Sequence, residues 1–94
     1  MIHNLEIGLH TLFVGKIIDV KVDEGVLITD VQQFSKAEDQ HLIAGLVITE
    51  VDRNKISDVK DFKNYIDDSK GKAVLLRVID DKGNSRFVGL EIPE

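Results

Sequence analysis

The chain contains no cysteine, which excludes disulfides and thiolate chemistry. That absence leaves the compartment open, because periplasmic and cytosolic domains both manage without cysteine. A single proline in 94 residues argues against a long disordered linker. The aromatic residues are one tyrosine and four phenylalanines, so a core has to be built mostly from Val, Ile and Leu. No apolar run approaches the roughly 18 residues of a membrane span, so direct membrane insertion is not expected. The N-terminus lacks the basic region and apolar core of a signal peptide. Lys and Arg are not clustered and the net charge is −5. Phosphate binding needs clustered cations, so nucleic acid is not an expected partner. The seven glycines are scattered and form no phosphate-cradling loop.

What is present suits one domain of modest size, with 43% hydrophobic residues to supply one core. Ile2, Leu5, Ile7 and Leu9 alternate with His3, Asn4, Glu6 and Gly8, and period two from Leu5 onward predicts a strand. Thr11 is placed to cap a short helix beginning at Leu12, Phe13 and Val14 and ending near Asp19, though Gly15 weakens it. A competing reading carries the strand through Val14, because Phe13 and Val14 favour strands. Val26 to Val31, apolar apart from Thr29 and Asp30, is expected to be a strand buried on both faces. Ser35 followed by Glu38 is a capping-box pattern for a short helix ending near Leu42. Leu46 to Val51 predicts the next strand. Ser57 is placed to cap the longest helix, Asp58 to Asp68, whose Val59, Phe62, Tyr65 and Ile66 fall on one arc of roughly 120°. Ala73 to Ile79 and Arg86 to Ile92 predict a hairpin around Asp80-Asp81-Lys82-Gly83-Asn84. The sum is an α+β domain, a partial β-barrel of about five to six strands closed by two or three helices.

Catalytic chemistry has little to stand on. His3, His10 and His41 have no metal-ligand spacing. None of Ser35, Ser57, Ser69 and Ser85 sits in a Gly-x-Ser-x-Gly elbow, and Ser35 and Ser57 read as helix caps. The pairs Asp67-Asp68 and Asp80-Asp81 read as a solvated helix end and a solvated turn. No catalytic residue, metal or cofactor is expected.

The stretch Gly25 to Ile56 carries a family pattern through Gly25, Val26, Ile28, Val31, Ser35, Ala37, Leu42, Gly45, Val47, Ile48, Val51 and Ile56. It resembles the middle of PDZ domains of bacterial HtrA/Deg-type serine proteases. It departs where the family has Ala-Gly before the leucine, here Gln40-His41, and where the family has Gly-Asp, here Gly45-Leu46. The turn that usually carries Asn-Gly reads Arg53-Asn54, and asparagine tolerates a positive φ. Near the N-terminus the family has a tyrosine-apolar-glycine-apolar-x-valine motif. Without gaps this falls on Ile2-His3-Asn4-Leu5-Glu6-Ile7; a shorter alignment puts it on Ile7-Gly8-Leu9.

The resemblance implies a peptide-binding module of a longer protease chain, with the catalytic domain preceding Met1 and no hydrolysis by this piece. The implied setting is the periplasm or cell envelope. Substrate or regulatory C-termini of peptides, proteins or unfolded substrates would add as a strand beside Leu5 to Ile7. The implied peptide site is Ile2, His3, Asn4, Leu5, Glu6 and Ile7 on one wall and Phe62, Tyr65 and Ile66 on the other. In that loop, converging backbone N–H groups would hold the terminal carboxylate. Two alternatives stay open: an assembly module that contacts sister domains of the same protease, and a PDZ domain of a membrane-embedded protease or secretion component.

Overall fold

The computed structural model describes residues 7–11, 25–33 and 35–92. The chain forms β1 (Ile7–Thr11), β2 (Val26–Val31), α1 (Lys36–Asp39), β3 (Val47–Val51), β4 (Asn54–Lys55), α2 (Val59–Asp68), β5 (Ala73–Ile79) and β6 (Ser85–Glu91). It is a small α+β fold with one antiparallel six-stranded sheet in the order β1-β2-β3-β5-β6, and β4 pairs with β3. β5 runs along the length of β3, so β2 and β4 share the opposite edge of that strand. This architecture is compatible with the partial barrel expected above.

The strands form where alternation and branched side chains coincide. In β5 and β6 the inward residues Val74, Leu76, Val78, Val88 and Leu90 are buried, and the residues between them face outward or lie half-buried. The hairpin turn follows from Asp80, whose Oδ1 accepts from the Lys82 and Asn84 N–H groups at 2.9 Å each. In β2, Val26, Leu27 and Ile28 are buried in succession, and Thr29 and Asp30 are exposed. Two-sided burial therefore holds for the first half of that strand only. Val26 pairs with Ile48 and Leu27 with Val47, and both partners are fully buried.

Among the described residues the core is aliphatic apart from one ring. Ile7, Ile28, Ile48, Ile56, Phe62, Ile66, Leu76 and Leu90 belong to a single cluster, with Val31, Val59 and Tyr65 packed against it. Burying such side chains contributes about 1.5–3 kcal/mol each.

The helix ends confirm one expectation and correct another. Ser35 Oγ accepts from the Glu38 N–H at 3.1 Å, so the predicted cap at α1 holds. For α2 the cap is Asp58, not Ser57: Asp58 has extended backbone and its Oδ1 accepts from the Asp61 N–H at 2.8 Å. The Ser57 N–H instead donates to Asp61 Oδ2 at 3.3 Å. An aspartate at this position also suits the positive end of the helix dipole better than a serine does. At the start of the chain, Thr11 is the last residue of β1; the helix expected to follow it lies outside the described residues.

The departures from the family pattern have backbone explanations. α1 closes with His41 N–H donating to the Glu38 carbonyl and Leu42 N–H to the Ala37 carbonyl, at 2.9 and 3.0 Å. That is a Schellman motif, and His41, at φ 67°, occupies the left-handed position that glycine usually fills. In the turn between β3 and β4 the left-handed residues are Asp52, at φ 50°, and Arg53, at φ 68°. Val51 pairs with Asn54, so Asn54 belongs to β4 and the two-residue turn is Asp52-Arg53. Asp52 is tied down by its Oδ1 accepting from the Leu75 N–H at 2.8 Å and its own N–H donating to the Leu75 carbonyl at 2.7 Å. Leu46, at the position where the resembled pattern has aspartate, is buried as a member of the core cluster.

Candidate functional site

β1 lies at one end of the sheet. It pairs with β2 along one edge, and among the described residues no strand pairs with its other edge. α2 packs alongside β1. An unpaired strand edge offers a row of backbone N–H and C=O groups, and a neighbouring helix supplies side chains beside it. The juxtaposition of β1 and α2 is the candidate site.

The β1–β2 ladder is irregular at one point. Gly8 pairs with Asp30 but Leu9 pairs with Ile28, which leaves Thr29 as the extra residue of a β-bulge. Gly8 is buried at this bulge, and a Cβ there would sit 2.6 Å from Thr29 Oγ1 and 3.2 Å from Asp30 Cβ. Its glycine is therefore needed for close approach within the strand. It is not among the residues with positive φ, so it does not act as the turning residue of a loop.

The side chains expected to line a peptide site divide sharply. Ile2, His3, Asn4, Leu5 and Glu6 lie outside the described residues. Ile7 is fully buried in the core cluster, so only its backbone is available at the β1 edge. Phe62 at 0% exposure and Ile66 at 1% are both inside. The position of Phe62 corrects the expectation that its ring forms a groove wall: α2 turns Phe62 and Ile66 together onto the core. Tyr65 is half-buried against the cluster, as is Val59, and these two are the arc residues of α2 that reach the surface. A tyrosine with an apolar body on the core and a polar tip toward water suits such a boundary.

Other chemistry is sparse at this site. Among the described residues no three His, Asp or Glu side chains come together as metal ligands. No helix of the described chain is long and apolar enough to cross a membrane. Asp80, at the hairpin turn, has its carboxyl held below the usual carboxylate range, first by the Asn84 N–H and also by the Lys82 N–H.

Two features escaped the sequence reading. The Asp58 cap had a signal, Asp58-x-x-Asp61, one residue beyond the serine that drew attention. The bulge at Thr29 had none, because it exists only in the pairing of two strands. Comparison with protein-family models and with curated proteins finds no match for this chain.

Proposed function

We infer that the chain is a peptide-binding PDZ module resembling those of HtrA/Deg-type serine proteases, taking extended C-termini of substrate or regulatory proteins by strand addition. The observation that carries this reading is that β1, packed against α2, has one edge with no paired strand among the described residues. The incoming strand would bond to the β1 backbone, and Tyr65 and Val59 would meet its side chains. The residues preceding β1 in sequence would hold the terminal carboxylate. The domain itself is a binding module, and hydrolysis belongs to a protease domain elsewhere in a longer envelope or periplasmic chain.

The test is an NMR titration with an apolar-ended peptide, as free acid and as C-terminal amide. Hydrogen bonds to a charged group contribute roughly 1.5–3 kcal/mol each. The acid form should therefore bind at least about tenfold more tightly, a difference of about 1.4 kcal/mol. Its resonances should shift at Ile7 to Thr11 and at Tyr65. Equal binding of acid and amide, or shifts away from β1 and α2, would refute the reading.

A second reading, an assembly module contacting sister domains, draws on Phe87, which projects from β6 at 58% exposure. It predicts concentration-dependent self-association that Phe87→Ser abolishes, with no response to free C-termini.

A further inference from the structure

A concave feature lies away from β1 and α2 and shares no residue with them. Ile43, Ala44, Gly45 and Leu46, in the connection from α1 to β3, form one side of a cleft of about 310 Å³, and Asp80 and Asp81 at the tip of the β5–β6 hairpin form the other. The pairing of Val47 with Ile79 brings the two segments together, because the residues next in line are Leu46 and Asp80. Gly45 opens the cleft: it has φ +99°, and a Cβ built on it would meet nothing within 4 Å. Ile43 is 60% exposed at the wall. An apolar side chain left that open costs solvation on its own surface, and a ligand that covers it recovers that cost.

The other wall carries negative charge of a particular kind. Asp80 is committed to the turn through the Lys82 and Asn84 N–H groups, and those bonds keep it ionised. Asp81 is exposed, and the hairpin bonds described above do not use its side chain. Lys82 follows in the same turn but does not line the cleft. Arg86 is engaged elsewhere, donating from Nη2 to the His41 carbonyl at 2.8 Å. An apolar wall facing carboxylates matches a side chain with an aliphatic stem and a cationic end.

We propose that this cleft is a docking site for a lysine or arginine side chain of a partner polypeptide, with the methylene stem on Ile43 and Ala44 and the cation at Asp81. The net charge of −5 favours approach of such a partner. The site is independent of the strand-addition reading. A ligand for the cleft needs no free C-terminus and no extended backbone.

The probes are three tripeptides blocked at both ends, with Ala-Lys-Ala, Ala-norleucine-Ala and Ala-Glu-Ala sequences, titrated into the whole chain up to about 10 mM, since one exposed ion pair plus a few methylenes supports only millimolar binding. Blocking the ends removes the carboxylate that the β1 site would require, so failure here leaves that reading untouched. The lysine peptide should shift the amides of Ile43 to Leu46, Asp80 and Asp81. The norleucine peptide, with the stem but no charge, should bind about threefold to fivefold more weakly, the worth of an exposed ion pair. The glutamate peptide should not bind. Asp81→Asn should reduce lysine-peptide binding to the norleucine level, and Ile43→Ser should weaken both peptides, each without loss of thermal stability because both side chains are exposed. Absence of shifts at the cleft, or equal binding of lysine and norleucine peptides, overturns the proposal. So does an unchanged affinity in the folded Asp81→Asn variant.

Discussion

Replacing His41 with glycine should stabilise the fold. His41 closes α1 at φ 67°, in the left-handed region, where a Cβ crowds the following carbonyl. Relief of that crowding is worth about 1–2 kcal/mol. Glycine also gives the unfolded chain more freedom, which offsets about 0.4–1 kcal/mol. The bonds that make the motif are unaffected, because the His41 N–H to Glu38 and the Arg86 guanidinium to the His41 carbonyl both use backbone atoms of residue 41. The net gain should be about 0.5–1 kcal/mol, which for a domain of this size raises Tm by about 2–8 °C. Thermal melts by circular dichroism, with urea titration for ΔG, measure it. His41→Ala is the control. Alanine keeps the Cβ and so the left-handed strain, and it should give little of the gain. If alanine stabilises as much as glycine, the benefit comes from removing the imidazole and the backbone reasoning fails. A lower Tm for His41→Gly would refute it outright.

Asp58→Ala should cost about 1 kcal/mol through loss of the α2 cap; an unchanged stability in urea melts would count against the cap as placed here. Phe62→Ala should cost about 3–5 kcal/mol because the ring is wholly inside the core. Tyr65→Ala should cost less stability than that but reduce affinity for an apolar C-terminal peptide, a separation that melts and titrations on both variants resolve. Asp80 has a folded-state pKa lowered from 3.8, so its turn bonds stabilise the fold above that pH and the contribution is lost as pH falls below it. Melts from pH 2 to 7 should therefore show a smaller acid-side loss for Asp80→Asn, and parallel curves for the two proteins would contradict the assignment.

The sequence alone determined what depends on neighbours along the chain. The hairpin of β5 and β6 was legible because its alternation and its Asp80–Asn84 turn are local, and the Ser35 cap was legible because its partner Glu38 is three residues away. The α2 arc was legible as an amphipathic stripe. Which members of the stripe are core was not, because periodicity gives a face and only packing says how deep it goes; Phe62 is wholly buried and Tyr65 stays at the boundary. The left-handed turn belongs to Asp52 and Arg53, not Asn54, because the Val51–Asn54 pair sets the register and residue preference alone does not. Gly8 reads along the chain as a strand position or as the glycine of an Ile7-Gly8-Leu9 motif, and tertiary structure makes it a point of close contact under the Thr29 bulge. The packing of α2 against β1, and the cleft where residues 43–46 meet residues 80–81, join segments distant in sequence. Such sites come into being only when strand order and register bring those segments together; the pairing of the N-terminal strand with the Asp58–Asp68 helix was expected from the resemblance alone, and nothing in the sequence pointed to the cleft.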